Sequence, residues 1–258
     1  FVLDYKLHVK VYDLSGNYKR TLPVPIKVRD REMYPYSDSH LVLFKEVPDT
    51  EIGQADKDFA PYQPIILLEK TTGETTTLPY TKTSNASIRL SSGWVNNNAI
   101  YASGRNIYLS DVSSDTIYQL HPSGHTIEPK IVRTPSVNSM DGERFLLNLE
   151  GSSNRYGFFR RTNKEIKGKA AQSMQEWMYD YQTGKTFQPI FKNQDAPSMK
   201  LDAHTLIHCH GEDNCLYVKL EAFELIEALE NGELNGELQT IAQELVEDDN
   251  PVLMIVKL

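Results

Sequence analysis

HVKVYDLSGNYKRTL (8–22) holds the pattern that decides the fold: an alternating apolar strand, a turn ending in Ser-Gly, and a second strand. The pattern recurs in PIILLEKTTGETTTL (64–78), TIYQLHPSGHTIEPKI (116–131) and EWMYDYQTGKTFQPI (176–190). Their turn glycines, at positions 16, 73, 124 and 184, are 57, 51 and 60 residues apart. Because glycine adopts a positive φ without steric cost, each segment predicts a β-hairpin.

Further strands precede these hairpins. A segment with period-two alternation precedes three of the hairpins: HLVLFKEV (40–47), NIYLSDV (106–112) and RYGFFRRT (155–162). Ahead of the second and third of these segments, NNAIYASG (97–104) and GERFLLNLEG (142–151) each predict one more strand. Four antiparallel strands in each repeat, with no helix between them, are typical of a β-propeller blade. A β-sandwich has similar strands but not the same turn at a near-constant period. We therefore expect an all-β chain that forms one propeller domain over residues 1–258.

The repeat length predicts that this chain covers parts of about five blades. The segment from Phe1 resembles the second strand of a blade, so the first strand of that blade, one whole blade and the fourth strand of the last blade are expected before it. Residues 205–210, 216–220 and 251–258 predict the first three strands of the last blade. Together with the missing pieces, these parts would make a ring of six blades, since propellers commonly complete the last blade with a strand from the opposite terminus.

A helical insertion is expected at residues 222–247, within the last blade. Apolar residues recur there at intervals of three and four, which predicts one buried stripe on each of two helices. Asn231-Gly232 is expected to end the first helix, and Asn235 to cap the second. The predicted stripes are Phe223, Ile226 and Leu229, followed by Leu234, Leu238, Ile241 and Leu245.

Composition excludes several classes of function. The chain has a formal net charge of −8 and a pI near 5.4, so no general affinity for nucleic acid is expected. The longest apolar runs, 65–68 and 252–256, are far shorter than the ~20 residues of a membrane-spanning helix. No GxGxxG, GxxxxGK[ST] or GxSxG motif occurs, and we predict no cofactor.

A resemblance follows from the two ends of the chain. FVLDYKLHVKVYDLSGNYKRTL (1–22) resembles the NHL-type and TolB-like propeller unit, and VEDDNPVLMIVKL (246–258) resembles the C-terminus of six-bladed propeller lipoproteins of Bacteroidetes. The resemblance implies a six-bladed propeller in the periplasm or at the cell surface, with a lipid anchor in the missing N-terminal part. It implies no catalytic residues, because that family has no established activity.

The densest group of potential metal ligands is His204, His208 and His210. On a strand these three side chains share one face and could bind a metal such as zinc. The alternative is that they are wall residues of the central channel. Cys209 and Cys215 flank the adjacent turn, where they would form either a disulfide or a reduced structural pair.

The long connections predict the binding face. Second-to-third-strand connections are long at 47–64, at 163–175 and at the helical insertion. The blade-to-blade connections 29–40, 85–98 and 136–144 belong to the same face. These connections combine aromatic rings with guanidinium groups, which suits a sugar ring, a peptide or a carboxylate. The alternative is ordinary blade packing. The candidate ligand-binding residues are Tyr34, Tyr36, Arg89, Trp94 and Arg144.

These observations favour a non-enzymatic ligand-binding or scaffold propeller, with a small molecule, glycan or protein as its partner. The enzymatic alternative is a metal-assisted hydrolase or lyase that uses His204, His208 and His210 at the channel mouth.

Overall fold

A computed structural model describes most of the chain. It covers residues 1–4, 8–24, 28–45, 62–81, 89–90, 93–94, 100–103, 106–111, 114–136, 145–163, 174–199, 201, 207–208 and 214–257. At 28–32, 89–90, 93–94, 163, 174 and 207–208 it describes the backbone only.

The described residues form an all-β protein with antiparallel sheets and two short helices. Five sheets of three or four strands follow one another along the chain, and each has its strands in sequence order. The first contains β1 (Val2–Leu3), β2 (Val9–Tyr12) and β3 (Tyr18–Leu22); the second contains β4 (Val28–Pro35), β5 (His40–Lys45), β6 (Ile65–Glu69) and β7 (Thr75–Thr77). A two-stranded ribbon of β8 (Arg89–Leu90) and β9 (Gly93–Trp94) follows the second sheet and precedes the third sheet in sequence.

The remaining three sheets continue this order. The third contains β10 (Ile100–Ser103), β11 (Asn106–Leu109), β12 (Thr116–His121) and β13 (Thr126–Val132). The fourth contains β14 (Phe145–Ser152), β15 (Tyr156–Asn163), β16 (Met174–Asp180) and β17 (Lys185–Phe187). The last contains β18 (Ile207–His208), β19 (Cys215–Leu220) and β20 (Val252–Lys257), with the helices α1 (Ala222–Glu230) and α2 (Gly236–Ala242) between β19 and β20.

The four repeated hairpins are confirmed. The pairs β2–β3, β6–β7, β12–β13 and β16–β17 are antiparallel neighbours. The turn glycines Gly16, Gly73, Gly124 and Gly184 have φ angles of 83°, 78°, 85° and 68°. A side chain at such φ angles is strained, so glycine is the residue that this turn requires.

The structure corrects the prediction for residues 29–40, which we expected to be a connection. Most of this segment forms β4, which pairs with β5. The run Arg29-Asp30-Arg31-Glu32 conceals the strand, because four consecutive charges remove the apolar alternation. Apolar character returns at Met33 and Tyr34, which pack against two different apolar clusters. Successive residues of a strand project to opposite faces, which accounts for this division.

The chain divides into two compact units. The first contains Phe1–Ala102, Asn106–Leu146 and Asn163–Gln172, and the second contains Ser103–Arg105, Leu147–Thr162 and Ser173–Leu258. The first unit has two buried clusters, one around Val42, Leu67 and Leu109 and the other around Leu43 and Leu68. The prediction of a single domain over residues 1–258 stays a prediction.

The core of the second unit joins the last sheet to the helices. Phe158, Leu216 and Val218 from the strands pack in one cluster with Leu225 and Leu238 from the helices. All five side chains are less than 10% exposed. Burial of each such side chain contributes about 1.5–3 kcal/mol, so this cluster fixes the helices to the sheet.

The insertion lies where it was predicted, but the predicted buried stripe of α1 is wrong at Phe223; Ile226 and Leu229 are half-buried, and Leu229 packs against the cluster. The helix buries Ala222, Leu225 and Ala228, whereas Phe223 is 54% exposed. Alanine is only weakly apolar, so Ala222 and Ala228 contribute little to the apolar periodicity. The sequence pattern therefore placed Phe223 on the buried face instead of these alanines. In the second half of the insertion Leu234 and Leu238 are buried as expected.

Both helix boundaries agree with the sequence. Asn231 is the C-cap of α1 and is followed by Gly232 at φ 69°. Asn235 is the N-cap residue of α2, but its side chain makes no capping hydrogen bond, and its backbone N–H donates to the carbonyl oxygen of Asp195 at 2.7 Å. Among the described residues, no helix has the length and apolar character needed to cross a membrane.

Candidate functional site

Two of the five predicted ligand-binding residues, Arg89 and Trp94, pair with each other across two antiparallel strands. Arg89 and Trp94 lie opposite each other in the ladder of the β8–β9 ribbon, and Leu90 is opposite Gly93. The ribbon is part of the connection between the second and third sheets, where the sequence predicted a binding loop. Arg144, the predicted ligand-binding residue of the connection 136–144, lies outside the described residues.

The two predicted tyrosines belong to packed structure. Tyr34 is half-buried in β4 and packs against the same cluster as Tyr36. Tyr36 is 4% exposed, and its hydroxyl donates to the backbone carbonyl of His121 at 2.8 Å. Burial raises the pKa of this hydroxyl. The contacts of Tyr36 therefore agree with the packing alternative for this residue.

The predicted metal ligands lie mostly outside the described residues. His204 and His210 are among the residues not described, as is Cys209. His208 is the last residue of β18 and lies opposite Leu216. Cys215 is buried, and both alternatives for it and Cys209, a disulfide or a reduced structural pair, stay predictions. Over the described part of the chain, no group of three or more His, Cys, Asp or Glu residues is arranged to hold a metal ion.

A histidine cluster that the sequence analysis missed lies in the first unit. It consists of His40, His125 and Tyr36, contributed by the β4–β5 turn and the β12–β13 turn. The rings of His40 and His125 meet edge to face, with centroids 5.4 Å apart and an interplanar angle of 76°. Tyr36 stacks on His125, with centroids 5.7 Å apart and an angle of 20°. Two turns that are distant in sequence thus bring two imidazoles together.

Hydrogen bonds fix the turn that carries His40. The backbone N–H of His40 donates to Ser37 Oγ at 3.0 Å, and Ser39 Oγ lies 2.8 Å from His40 Nδ1. Lys70 Nζ donates to the carbonyl oxygens of Ser37 and Asp38 at 2.5 and 3.2 Å. Because the lysine belongs to the β6–β7 hairpin, it holds the β4–β5 turn against the neighbouring turn of the same sheet.

The backbone at His125 differs from the other repeated turns. His125 has φ 52° and follows Gly124, so two successive residues adopt the left-handed conformation. Such a conformation is uncommon for residues other than glycine, although histidine is among the more tolerant types. The sequence signal is the histidine directly after the turn glycine, a position that holds Asn17, Glu74 and Lys185 in the other three hairpins.

The histidine cluster does not have the arrangement of a serine hydrolase. Ser39 and His40 form a hydroxyl–imidazole pair, but they are adjacent in one turn, and no described carboxylate contacts the other ring nitrogen of His40. A catalytic triad requires such a third group to orient the base. The cluster is better suited to binding through the imidazole nitrogens.

Carboxylates stabilise three of the four repeated turns. Asp13 Oδ1 accepts from the backbone N–H groups two and four residues later, at 3.0 and 2.9 Å. Glu69 accepts from the N–H of Thr71 at 2.7 Å and from the N–H of Thr72. The Lys19 ammonium and these N–H groups lower the pKa of Asp13, and the Thr72 N–H chiefly lowers the pKa of Glu69. These residues are structural supports of the hairpins.

Asp180 has the same role in the fourth hairpin. Its Oδ1 accepts from the N–H groups of Gln182 and Thr183 at 2.9 and 3.3 Å, and its Oδ2 pairs with Arg155 at 3.2 Å. Burial raises the pKa of Asp180, but the hydrogen bonds and the guanidinium outweigh it, and the pKa is lowered. In the same unit Ser152 Oγ lies 2.9 Å from the Tyr181 hydroxyl, which joins two turns of the fourth sheet.

Comparisons with known proteins identify a similar fold but no family. No protein-family profile matches the chain, and no curated protein matches it. Among solved structures, the chain is similar to a provisionally described exported protein of Bacteroides fragilis NCTC 9343, with a TM-score of 0.57 and 14% sequence identity. The match covers 100% of this chain and 76% of that protein. At this identity the likeness concerns the fold alone.

Proposed function

We propose that the chain is a non-enzymatic ligand-binding module of an exported six-bladed β-propeller. The antiparallel sheets in strand order support the propeller, because each sheet is a meander of the kind that forms a blade. The glycine turn at the same place in four sheets also supports it. Six blades are proposed from the repeat length and from the resemblance of residues 246–258 to the C-terminus of six-bladed propeller lipoproteins.

The pairing of Arg89 with Trp94 carries the proposed binding function. The two residues are register partners in a ribbon that follows the second sheet and precedes the third sheet in sequence. An arginine beside an aromatic residue suits a ligand that combines a flat or apolar face with an oxyanion, such as an acidic sugar or a carboxylate-bearing peptide. Connections held by a rigid sheet scaffold are common places for such sites.

Export is proposed from two sources. The similar protein of Bacteroides fragilis is described as exported, and residues 246–258 resemble the C-terminus of six-bladed propeller lipoproteins. A location in the periplasm or at the cell surface would expose the protein to glycans and peptides, which are the proposed ligands. Fractionation of cells that express the full-length gene tests this location.

The binding proposal is tested with a defined panel of probes. An array of neutral and acidic oligosaccharides, together with short peptides that end in a free carboxylate, is screened with purified protein, and the best probe is titrated by calorimetry. We expect Arg89→Ala and Trp94→Ala each to weaken binding at least tenfold, about 1.4 kcal/mol.

Matched controls test whether the loss is local. Arg20 and Phe223 are an exposed arginine and an exposed aromatic residue outside the ribbon. Arg20→Ala and Phe223→Ala should leave the affinity within twofold of the parent protein. Equal affinity in Arg89→Ala, Trp94→Ala and the parent protein would refute a site at the ribbon.

A further inference from the structure

We propose that His40 and His125 form a binding site for a borderline divalent transition-metal ion such as Zn²⁺ or Ni²⁺. The site shares no residue with the β8–β9 ribbon and does not depend on the proposed ligand-binding function. Imidazole nitrogen is a preferred ligand of these ions.

The distance between the two rings fits a shared ion. In a tetrahedral site with Zn–N bonds of about 2.0–2.1 Å, the centroids of two imidazoles bound to one ion lie about 5 Å apart. The centroids of His40 and His125 are 5.4 Å apart. The observed ring separation is therefore close to the separation that one shared tetrahedral ion requires.

Ser39 prepares His40 for metal binding. When His40 Nδ1–H donates to Ser39 Oγ, at 2.8 Å, the lone pair of Nε2 is left for a metal ion. Ser39 Oγ can then donate onward to Ser37 Oγ at 3.3 Å. A hydrogen bond from the non-ligating nitrogen is the usual support for a metal-binding histidine, because it fixes the tautomer and the ring orientation.

The surroundings position both rings before an ion binds. Tyr36 stacks on one face of His125 and is itself held by its hydrogen bond to His121. Lys70 holds the turn of His40 through two carbonyl oxygens. Its ammonium is thus engaged with neutral acceptors. The left-handed backbone of His125 is the observed departure from the other hairpins, and it places this histidine beside His40.

The proposed site has two protein ligands. No third His, Cys, Asp or Glu of the described chain completes a metal-binding group there. Water, or a donor atom from an external ligand, would occupy the other coordination positions. A tetrahedral ion held by two histidines would thus keep two exchangeable positions, one more than the usual catalytic zinc site with three protein ligands.

Metal titration of tag-free protein tests the proposal. Calorimetry with ZnCl₂ and with NiCl₂ should show one ion bound per chain in the parent protein. His40→Gln and His125→Asn should each abolish this binding, and asparagine is chosen at 125 because it tolerates the left-handed backbone. Ser39→Ala should weaken the affinity about 10- to 100-fold through loss of the support for His40.

Controls separate this site from other histidines. His8 pairs with Asp4 at 3.5 Å on a different turn, so His8→Gln should bind zinc as the parent protein does. Thermal unfolding without metal shows whether each variant is folded. If His40→Gln does not fold, the zinc affinity of Ser39→Ala tests the site instead. No binding by the parent protein, or unchanged binding in His40→Gln, His125→Asn and Ser39→Ala, would overturn the proposal.

Discussion

Gly73 and Gly16 hold the same place in two repeated hairpins, yet replacing Gly73 with alanine should be the more destabilising change. Both residues have a left-handed backbone, with φ of 78° and 83°. The strain of an alanine in this conformation costs about 1–2 kcal/mol at either position. A Cβ at Gly16 would meet no atom within 4 Å, so the strain is the whole expected cost there.

Gly73 carries an additional steric cost. A Cβ at this position would lie 2.7 Å from Cδ and 3.0 Å from Cγ of Pro23, and the rigid proline ring cannot move aside as the end of a flexible side chain would. Overpacking of this kind costs about 1–3 kcal/mol. We therefore expect Gly73→Ala to lower the free energy of unfolding by about 2–5 kcal/mol, the sum of strain and overpacking.

Urea unfolding followed by circular dichroism measures the difference. With a slope of about 1–3 kcal/mol per molar urea, the midpoint of Gly73→Ala should be clearly below that of Gly16→Ala. Asparagine adopts the left-handed conformation more readily than alanine. Gly16→Asn should therefore recover part of the loss, whereas Gly73→Asn should keep the overpacking cost and have a midpoint well below that of Gly16→Asn. Equal midpoints for the two alanine variants would refute the proposed contact with Pro23.

Three further predictions concern the helix, the turns and the core. Leu225→Ala should lower the free energy of unfolding by about 2–5 kcal/mol, whereas Phe223→Ala should change it by less than about 0.5 kcal/mol, measured by urea unfolding; the reverse order would restore the stripe predicted from sequence. The carboxyl pKa values of Asp13 and Glu69 are lowered from ordinary values of 3.8 and 4.5, so the folded state binds fewer protons than the unfolded state. The stabilisation by these two carboxylates is complete above their ordinary pKa values and is lost as the pH falls through their lowered pKa values. Asp13→Asn should therefore make the thermal midpoint less sensitive to pH below about 4. An unchanged pH dependence of the midpoint would contradict this. Tyr36→Phe should cost about 1 kcal/mol of stability through loss of one buried hydrogen bond, measured by thermal unfolding, and no loss would show that the hydroxyl is not needed.

The local pattern of the fold was predictable from sequence because it depends on short-range chemistry. Ser-Gly and Thr-Gly between alternating strands specify a turn within a few residues, and all four such turns were found. The boundary at Asn231-Gly232 was predictable for the same reason. Strand β4 was missed because the charges from Arg29 to Glu32 mask a strand that packing at Met33 stabilises.

The histidine cluster could not be predicted in this way. His40 and His125 are 85 residues apart, and no periodicity connects them. They meet because two sheets place their turns side by side, as the hydrogen bond from Tyr36 to His121 shows. The stripe of α1 was misassigned for a related reason, since the small volumes of Ala222 and Ala228 permit close packing that a hydrophobicity pattern does not report.

The fluorescence of Trp94 tests most directly whether Arg89 and Trp94 form a ligand-binding site. The chain has two tryptophans, so Trp177→Phe leaves Trp94 as the sole reporter. Titration of this variant with the best oligosaccharide or carboxylate-bearing peptide should give a saturable change in emission, at least tenfold weaker when Arg89→Ala is added. A probe that binds by calorimetry without changing Trp94 emission, or with equal affinity after Arg89→Ala, would contradict the account.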